Sequence, residues 1–326
     1  MSSSPDETEI ISQNPPSILL AMNCRDEANI REWVLYHSTL GLQPTDGILI
    51  FDDMSQTPVQ NHLHEWKWFP SLLPNITIQR THKGKFEYMR MALSFAKENR
   101  FDWLLYIDAD EYIVVGSQYH DNLRDFIQKN IDENDSGPLA AIGLFWKHFG
   151  SSNLDHNPTN GNQCLAIFHK CASQITPTLK VITNVPLTTG PLSPHHYSYL
   201  STIKKSKIIY CPFMKTFLPN LPKQHNDPKF IAIMLKALAE REQEGTDHEF
   251  IAHYSIQSWK EYCFRRNRPR DDNGLTRKPL YENLDPSSKP PDSFHLHYNE
   301  AIDRLPHRTF LRNLKRFLES IKNKKN

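Results

Sequence analysis

Trp103-Leu-Leu-Tyr-Ile-Asp-Ala-Asp-Glu-Tyr112 is the stretch on which the fold turns. Residues 103–107 form a short, wholly apolar run, the pattern of a strand buried on both faces. The run breaks at once into acid: Asp108 and Asp110 flank a small residue, and Glu111 follows. Just upstream, residues 86–98 set Phe86, Met89, Arg90, Leu93 and Ala96 along one side of a helix. Before that helix, Ile76-Thr-Ile-Gln79 reads as a weaker strand and Gly47-Ile-Leu-Ile-Phe51 as a buried one. Residues 29–40 carry Ile30, Trp33, Val34, His37 and Leu40 at helical spacing, and Gly41 stands where that helix should stop. Ile18-Leu-Leu-Ala-Met22 is the first buried strand. Strands and helices thus alternate over residues 18–107, which argues for βαβ units and a largely parallel sheet covered on both faces. Ligands in such sheets bind beyond the carboxyl ends of the strands. The residues at those ends are Asn23-Cys-Arg-Asp-Glu27, Asp52-Asp53 and Asp108-Ala-Asp-Glu111, so acid gathers where a ligand should sit.

Working outward, residues 1–16 are polar, end in Asn14-Pro15-Pro16, and read as a flexible lead-in. Residues 17–225 are expected to form the α/β domain, and residues 226–326 a helical C-terminal extension that completes its site. Downstream of Val115 the pattern is less regular; residues 139–146, 164–169 and 180–185 read as strands. Asn226-Asp-Pro228 opens a helix whose apolar face holds Phe230, Ile231, Met234, Leu235 and Leu238. Residues 270–293, rich in Pro, Ser, Asp and Asn, form a long surface loop that can order over a bound ligand. From about residue 304 runs a basic amphipathic helix with Phe310, Leu311, Leu314, Phe317, Leu318 and Ile321 on one stripe. The stripe is expected to pack on the protein, with contact to an anionic membrane surface as the alternative. No internal repeat is visible.

The chain has 326 residues, with 38 Lys and Arg against 37 Asp and Glu. That balance rules out a strongly basic nucleic-acid binder as the default. A hydrophobic content of 38% supports a core, and no apolar run approaches the ~20 residues of a membrane span. The N-terminus shows no basic start leading into an apolar stretch, so a soluble, cytoplasmic protein is expected. Five cysteines without CxxC spacing read as free thiols in a reducing compartment. His62/His64 and His295/His297 have i, i+2 spacing, yet no companion Cys or His stands at finger spacing, which argues against zinc.

Two carboxylates flanking a small residue at the end of a strand can face one ligand, and they suit a hard cation such as Mg²⁺ or Mn²⁺. Such an ion completes its shell with phosphate oxygens and neutralises charge on a departing diphosphate. Asp52 or Asp53, after the second strand, can accept hydrogen bonds from a base or ribose, or can serve as a turn or capping aspartate. Lys83, Lys85 and Lys180 are candidates for steadying a diphosphate, each with a solvated turn as the alternative.

Asn23-Cys-Arg-Asp-Glu-Ala-Asn-Ile-Arg-Glu-Trp-Val-Leu-Tyr-His37 resembles the opening of GT-A glycosyltransferases of the family 92 type. Ile48 to Ser55, Trp103 to Tyr112, Trp146-Lys-His-Phe-Gly-Ser-Ser152 and His253-Tyr-Ser-Ile-Gln-Ser-Trp-Lys260 resemble four further blocks of that family in order. A Cys24-Arg25 pair stands where that family more often has Lys-Asn. The resemblance implies a GT-A, Rossmann-like sheet and a metal-dependent transferase that moves a sugar, commonly from a UDP-sugar, to an acceptor hydroxyl with inversion. It implies that Asp108 and Asp110 contact metal and donor, with His253 as a further metal ligand. It also implies that Asp52 or Asp53 contacts the nucleoside, and that Arg25 and Glu27 lie in the nucleotide-facing turn. Inversion requires a base for the acceptor proton; Asp155 is the first choice and His196 the second. The competing reading is a catalytically silent carbohydrate- or nucleotide-binding protein on the same fold. A sugar nucleotidyltransferase or a dinucleotide-dependent oxidoreductase would need a glycine-rich turn after the first strand, and Asn23-Cys-Arg-Asp-Glu27 contains no glycine.

Overall fold

A computed structural model of the chain describes residues 15–64, 75–134, 137–156, 158, 164–173, 175–203, 208–218, 232, 236, 249–267, 285–296, 299 and 301–324. The chain begins with β1 (Ile18–Cys24), α1 (Ile30–Ser38), β2 (Gly47–Asp52), α2 (Val59–His64), β3 (Ile76–Arg80), α3 (Lys85–Glu98) and β4 (Trp103–Tyr106). It continues with β5 (Glu111–Val114), α4 (Leu123–Asp132), β6 (Ala141–His148), α5 (Cys164–Ile167), β7 (Lys170–Cys171) and β8 (Thr176–Asn184). The hairpin β9 (Thr188–Ser193) and β10 (His196–Tyr199) precedes β11 (Ile209–Cys211) and β12 (Thr216–Leu218). β13 (Phe250–His253), α6 (Trp259–Arg266), β14 (Ala301–Ile302) and α7 (Leu305–Lys324) complete the described elements.

The main sheet runs β12-β11-β6-β8-β4-β1-β2-β3, with β13 paired to both β5 and β6. β5, β8 and β12 run against the other strands, which are mutually parallel. This is the α/β architecture that the alternation predicts: a mixed, mostly parallel sheet between helices. β13 comes from the segment read as a C-terminal extension and is inserted in this sheet.

β1 shows why its sequence is apolar throughout. Ile18, Leu20 and Met22 pack on one face with Trp33, Val34 and Tyr36 of α1, while Leu19 and Ala21 pack on the other with Tyr88, Met89 and Ala92 of α3. Each fully buried large side chain contributes roughly 1.5–3 kcal/mol, so a two-sided strand leaves no room for alternation with polar residues. Asp46 pins the opposite end of the sheet. Its carboxylate accepts from the backbone N–H of Ile18 at 2.7 Å and of Gln43 at 2.6 Å, and pairs with Arg124 of α4 at 2.5 Å.

Two expectations are corrected. Residues 164–169 begin not as a strand but as the one-turn helix α5, whose Leu165 N–H donates to Glu32 on α1. An apolar run of that length carries no periodicity that separates strand from helix, and the carboxylate supplied by α1 decides it. In α7 the expected stripe is split: Phe310 packs on the core beside Tyr36, but the leucines do not all follow it. Thr309 and Asn313 are buried, whereas Leu311 and Leu318 are 50% and 45% exposed. The reason is Asp121, buried before α4, which draws Arg312, Thr309 and Arg316 onto itself and sets the rotation of the helix. The helix expected from residue 226, with Phe230, Ile231, Met234, Leu235 and Leu238, and most of the 270–293 loop lie outside the described residues. All five cysteines are free and buried. Among the described residues no helix is long and apolar enough to cross a membrane.

Candidate active site

The parallel strands β1, β2, β4, β6 and β13 end at Cys24, Asp52, Tyr106, His148 and His253, all at one edge of the sheet. The acidic turn between β4 and β5 sits there. Its backbone is held by α1 through a matched ladder. Asn29, Trp33 and Tyr36, about one helical turn apart, donate to the carbonyls of Ala109 (3.3 Å), Glu111 (3.0 Å) and Ile113 (2.5 Å). His37 lies beneath them, its Nδ1 at 2.8 Å from the Trp33 carbonyl and its Nε2 accepting from the Ile113 N–H at 3.4 Å. A helical turn rises about 5.4 Å and two strand residues about 6.6 Å, so the ladder reaches three carbonyls before it drifts out of step. The Glu-Trp-x-x-x-His pattern of α1 therefore acts as a clamp on the acidic strand. The ring of His37 is fully enclosed, and burial pulls its pKa down to about 3.

The acids of the turn do not share one environment. Lys85, at the start of α3, places its Nζ 2.5 Å from Asp108, and Lys180 of β8 approaches the other oxygen at 3.0 Å. Lys180 is fully buried and also lies 3.1 Å from the equally buried Glu111, whose carboxylate accepts from the Asp108 N–H at 2.8 Å. Burial pushes the Asp108 carboxyl up, but the two lysines outweigh it and hold it well below the usual carboxylate range. Burial likewise works against charge on Lys180, and Asp108 and Glu111 overcome it.

Asp110 faces elsewhere. Its carboxylate lies 3.4 Å from Nε2 of His253, the last residue of β13, and both side chains are nearly buried. The backbone N–H of Tyr254 donates to the Asp110 carbonyl at 2.8 Å, so the two strand ends are tied together. Packing aims the His253 ring: Trp146 lies 4.1 Å away and His148 4.9 Å between ring centres, while Nδ1 is buried without a hydrogen bond from the described residues. Burial first, and the neighbouring His253 second, pull the pKa of His148 down to about 3. His195 also packs against Trp146, at 5.0 Å between centres; burial and then Lys180 and Lys85 depress its basicity as well.

Among the described residues, Asp110 and His253 are a pair at this edge whose spacing is compatible with a shared metal. Two ligands of an octahedral ion with bonds near 2.1 Å stand about 3 Å apart, and the Asp110–His253 separation is close to that. A mixed carboxylate and imidazole set suits Mn²⁺ better than Mg²⁺. Asp108 is already neutralised by two lysines, and a third cation on it would be opposed by both. Among the described residues no group of three or more His, Cys, Asp and Glu side chains is placed to hold a metal.

The remaining expected residues fall into three sets. Asp52 and Asp53 are both buried and internally satisfied. Asp52 accepts from the N–H groups of Ser55 (2.8 Å) and Val59 (3.1 Å), holding the entry into α2. Asp53 accepts from the Tyr88 hydroxyl at 2.8 Å, contacts His82 at 2.7 Å and pairs with Arg25 at 3.3 Å. Arg25 and His82 beside Asp53, and Arg80 at 3.4 Å from Asp52, reach solvent, at 30%, 69% and 38% side-chain exposure. Glu27 is half-buried in the same turn and Lys83 is exposed, its N–H donating to the Tyr88 hydroxyl. Asp155, in the loop beyond β6, is exposed and lies 3.0 Å from Nε2 of His295. His196 is turned into its hairpin against Ser193 at 2.7 Å. Sequence reasoning left Glu111, Trp146, His148 and His195 without roles, although it quoted the blocks that contain them. The β9–β10 turn separates His195 from His196: His195 lies in the turn and His196 opens β10.

No family model matches the chain, and no curated protein sequence does. Solved structures do resemble it. S. aureus TarS 1–349 in complex with UDP-GlcNAc is 16% identical with a TM-score of 0.33, over 53% of this chain and 46% of that one. The mannosyltransferase PcManGT from Pyrobaculum calidifontis, in complex with GDP-Man and Mn²⁺, is 16% identical with a TM-score of 0.31, over 40% and 35% of the two chains. The longer S. aureus TarS structure is 12% identical with a TM-score of 0.32, over 76% and 39%. The chain spans less than half the length of each of these proteins. Likeness this distant transfers neither a substrate nor a residue role.

Proposed function

We propose that the chain is a metal-dependent glycosyltransferase that uses a nucleotide-sugar donor, a UDP-sugar first among them, and an acceptor hydroxyl on a glycan or similar molecule. The observation that carries the reading is the separation of the two aspartates in Asp-Ala-Asp. Asp108 is claimed by Lys85 and Lys180, while Asp110 meets His253 at the end of a strand from a distant part of the chain. Asp110 and His253 would hold Mn²⁺, with the donor diphosphate completing its shell. When bound, that ion neutralises charge on the departing diphosphate. Lys85 lies beside the same turn and supports the diphosphate from Asp108. Arg25 and His82, backed by Asp53, face the nucleoside. Trp146, flanked by His195 and His253, offers an apolar wall for the sugar.

Inversion at the sugar requires attack from the face opposite the leaving group. The acceptor oxygen forms the new bond to the anomeric carbon as the bond to phosphate breaks, and the acceptor proton passes to a carboxylate. Asp155 suits that role: it is exposed at the correct edge, and His295 steadies one of its oxygens. His295 is itself held by Ser151 at 2.8 Å.

Calorimetric titration of UDP checks the metal assignment. Binding should require Mn²⁺ in the native chain and be lost in Asp110→Asn and in His253→Ala. UDP binding that ignores Mn²⁺ would overturn it. Asp155→Asn should keep donor binding while transfer falls by about 10²–10⁴-fold, the usual worth of a positioned base; full transfer in that variant would exclude Asp155.

A further inference from the structure

α7 docks with only part of the apolar stripe expected from the sequence: Phe310 packs on the core beside Tyr36, while Leu311 and Leu318 stay outside. The rest of its docking is polar. Asp121 receives two hydrogen bonds from Arg312, at 2.9 and 2.8 Å, and its backbone carbonyl accepts from Asn313 at 3.0 Å. Thr309 is buried in the same contact. With that face fixed inward, Arg304, Arg308, Leu311, Lys315 and Leu318 point outward and are all exposed. Their spacing alternates between four and three residues, so they form one line along the helix. Glu319 is the acidic residue exposed at its edge.

Two features of this line point to one kind of partner. Its charge is cationic and is not consumed by Asp121, which pairs with Arg312 and Arg316 on the flank. Its leucines are the anomaly: Leu311 and Leu318 are two of six large apolar side chains exposed among the described residues. A nucleic acid or an acidic protein would reward the cations and leave the leucines in water. A bilayer carrying anionic headgroups rewards both, because apolar side chains enter the acyl boundary while Lys and Arg meet the phosphates. The helix is already folded and anchored, so docking pays no cost of helix formation.

We propose that α7 is a peripheral docking helix for an anionic lipid surface, reading it through Arg304, Arg308, Leu311, Lys315 and Leu318. This does not depend on the catalytic reading. The test is co-sedimentation of the full chain, at low salt, with vesicles of phosphatidylcholine alone and with about a third of phosphatidylserine. Binding is expected only to the phosphatidylserine vesicles and should weaken at least about tenfold in Leu311→Ser/Leu318→Ser and in Arg308→Glu/Lys315→Glu. Circular dichroism should show both double variants folded, since every substituted side chain is exposed; Arg308→Gln/Lys315→Gln replaces the charge-reversal pair should that pair unfold. Absence of sedimentation with phosphatidylserine vesicles overturns the proposal. So does undiminished binding by the leucine variant, which would make the helix a general polyanion contact, a result that retention on heparin by the same variant would confirm.

Discussion

Lys180 sits fully buried between Asp108 and Glu111 and decides their behaviour. Removing one partner of such a buried cluster strands the others, at a cost of about 3–5 kcal/mol. Lys180→Met should therefore lower the urea midpoint strongly. Lys180→Met/Glu111→Gln should recover much of the loss, because a buried ion pair replaced as a unit costs little. A double variant no better than the single one would show that Asp108, not Glu111, needs the lysine. His37 gives a pH signature. Its folded pKa of about 3 lies below the ordinary value of about 6.5. The unfolded chain therefore binds a proton that the fold refuses. Stability from this group is complete above pH about 6.5 and drains away as pH falls toward 3, by up to about 1.4 kcal/mol per pH unit. Urea midpoints measured from pH 7 to 4 should fall, and His37→Phe should flatten that slope although it starts lower. Little of this residue-scale behaviour is legible from sequence: Asp108 and Asp110 look alike in Asp-Ala-Asp, and strands β8 and β13 tell them apart.

Among the elements, α1 was the most legible and α7 the most misleading. The Trp33 and His37 spacing that marks α1 in the sequence reports a physical requirement, since those side chains satisfy the outer backbone groups of β5. A strand with one edge paired to β13 leaves its other edge seeking donors and acceptors. In α7 an apolar count overstated the docked face: Phe310 packs inward, but one buried carboxylate that draws in Thr309, Arg312 and Arg316, and whose own backbone carbonyl accepts from Asn313, leaves Leu311 and Leu318 outside. Asp121→Ala should release this helix locally. Arg312 and Arg316 are 38% and 54% exposed, so solvent screening reduces what their pairing is worth. Amide exchange across residues 305–316 should still quicken about tenfold or more, as expected for charge-assisted bonds lost from a surface element. Exchange in β1 and β2 should not change. Uniform acceleration would mean that α7 is part of the global unfolding unit.

For the whole molecule, ligand linkage gives the simplest check. Saturation with UDP and Mn²⁺ at about a hundred times the dissociation constant stabilises a fold by about 2.7 kcal/mol. That corresponds to a rise in Tm of several degrees for a chain of this size. UDP or Mn²⁺ alone should give much less, and equal shifts with and without metal would argue against a shared site. What the sequence by itself determined was the layering. Continuous apolar runs such as Ile18-Leu-Leu-Ala-Met22 must be buried on both faces, and their alternation with amphipathic helices leaves a covered parallel sheet as the economical solution. It also determined the edge on which chemistry gathers, since strand ends at acidic turns can be read in one dimension. Only the tertiary structure decided which acid meets which base. His253 reaches Asp110 because β13 inserts beside β5, and Lys180 reaches Asp108 because β8 runs antiparallel between β4 and β6. Those partners are separated by 143 and 72 residues along the chain, and no local pattern of hydrophobicity or charge encodes so distant a meeting. It follows from strand order, which is settled by how all the apolar faces pack at once.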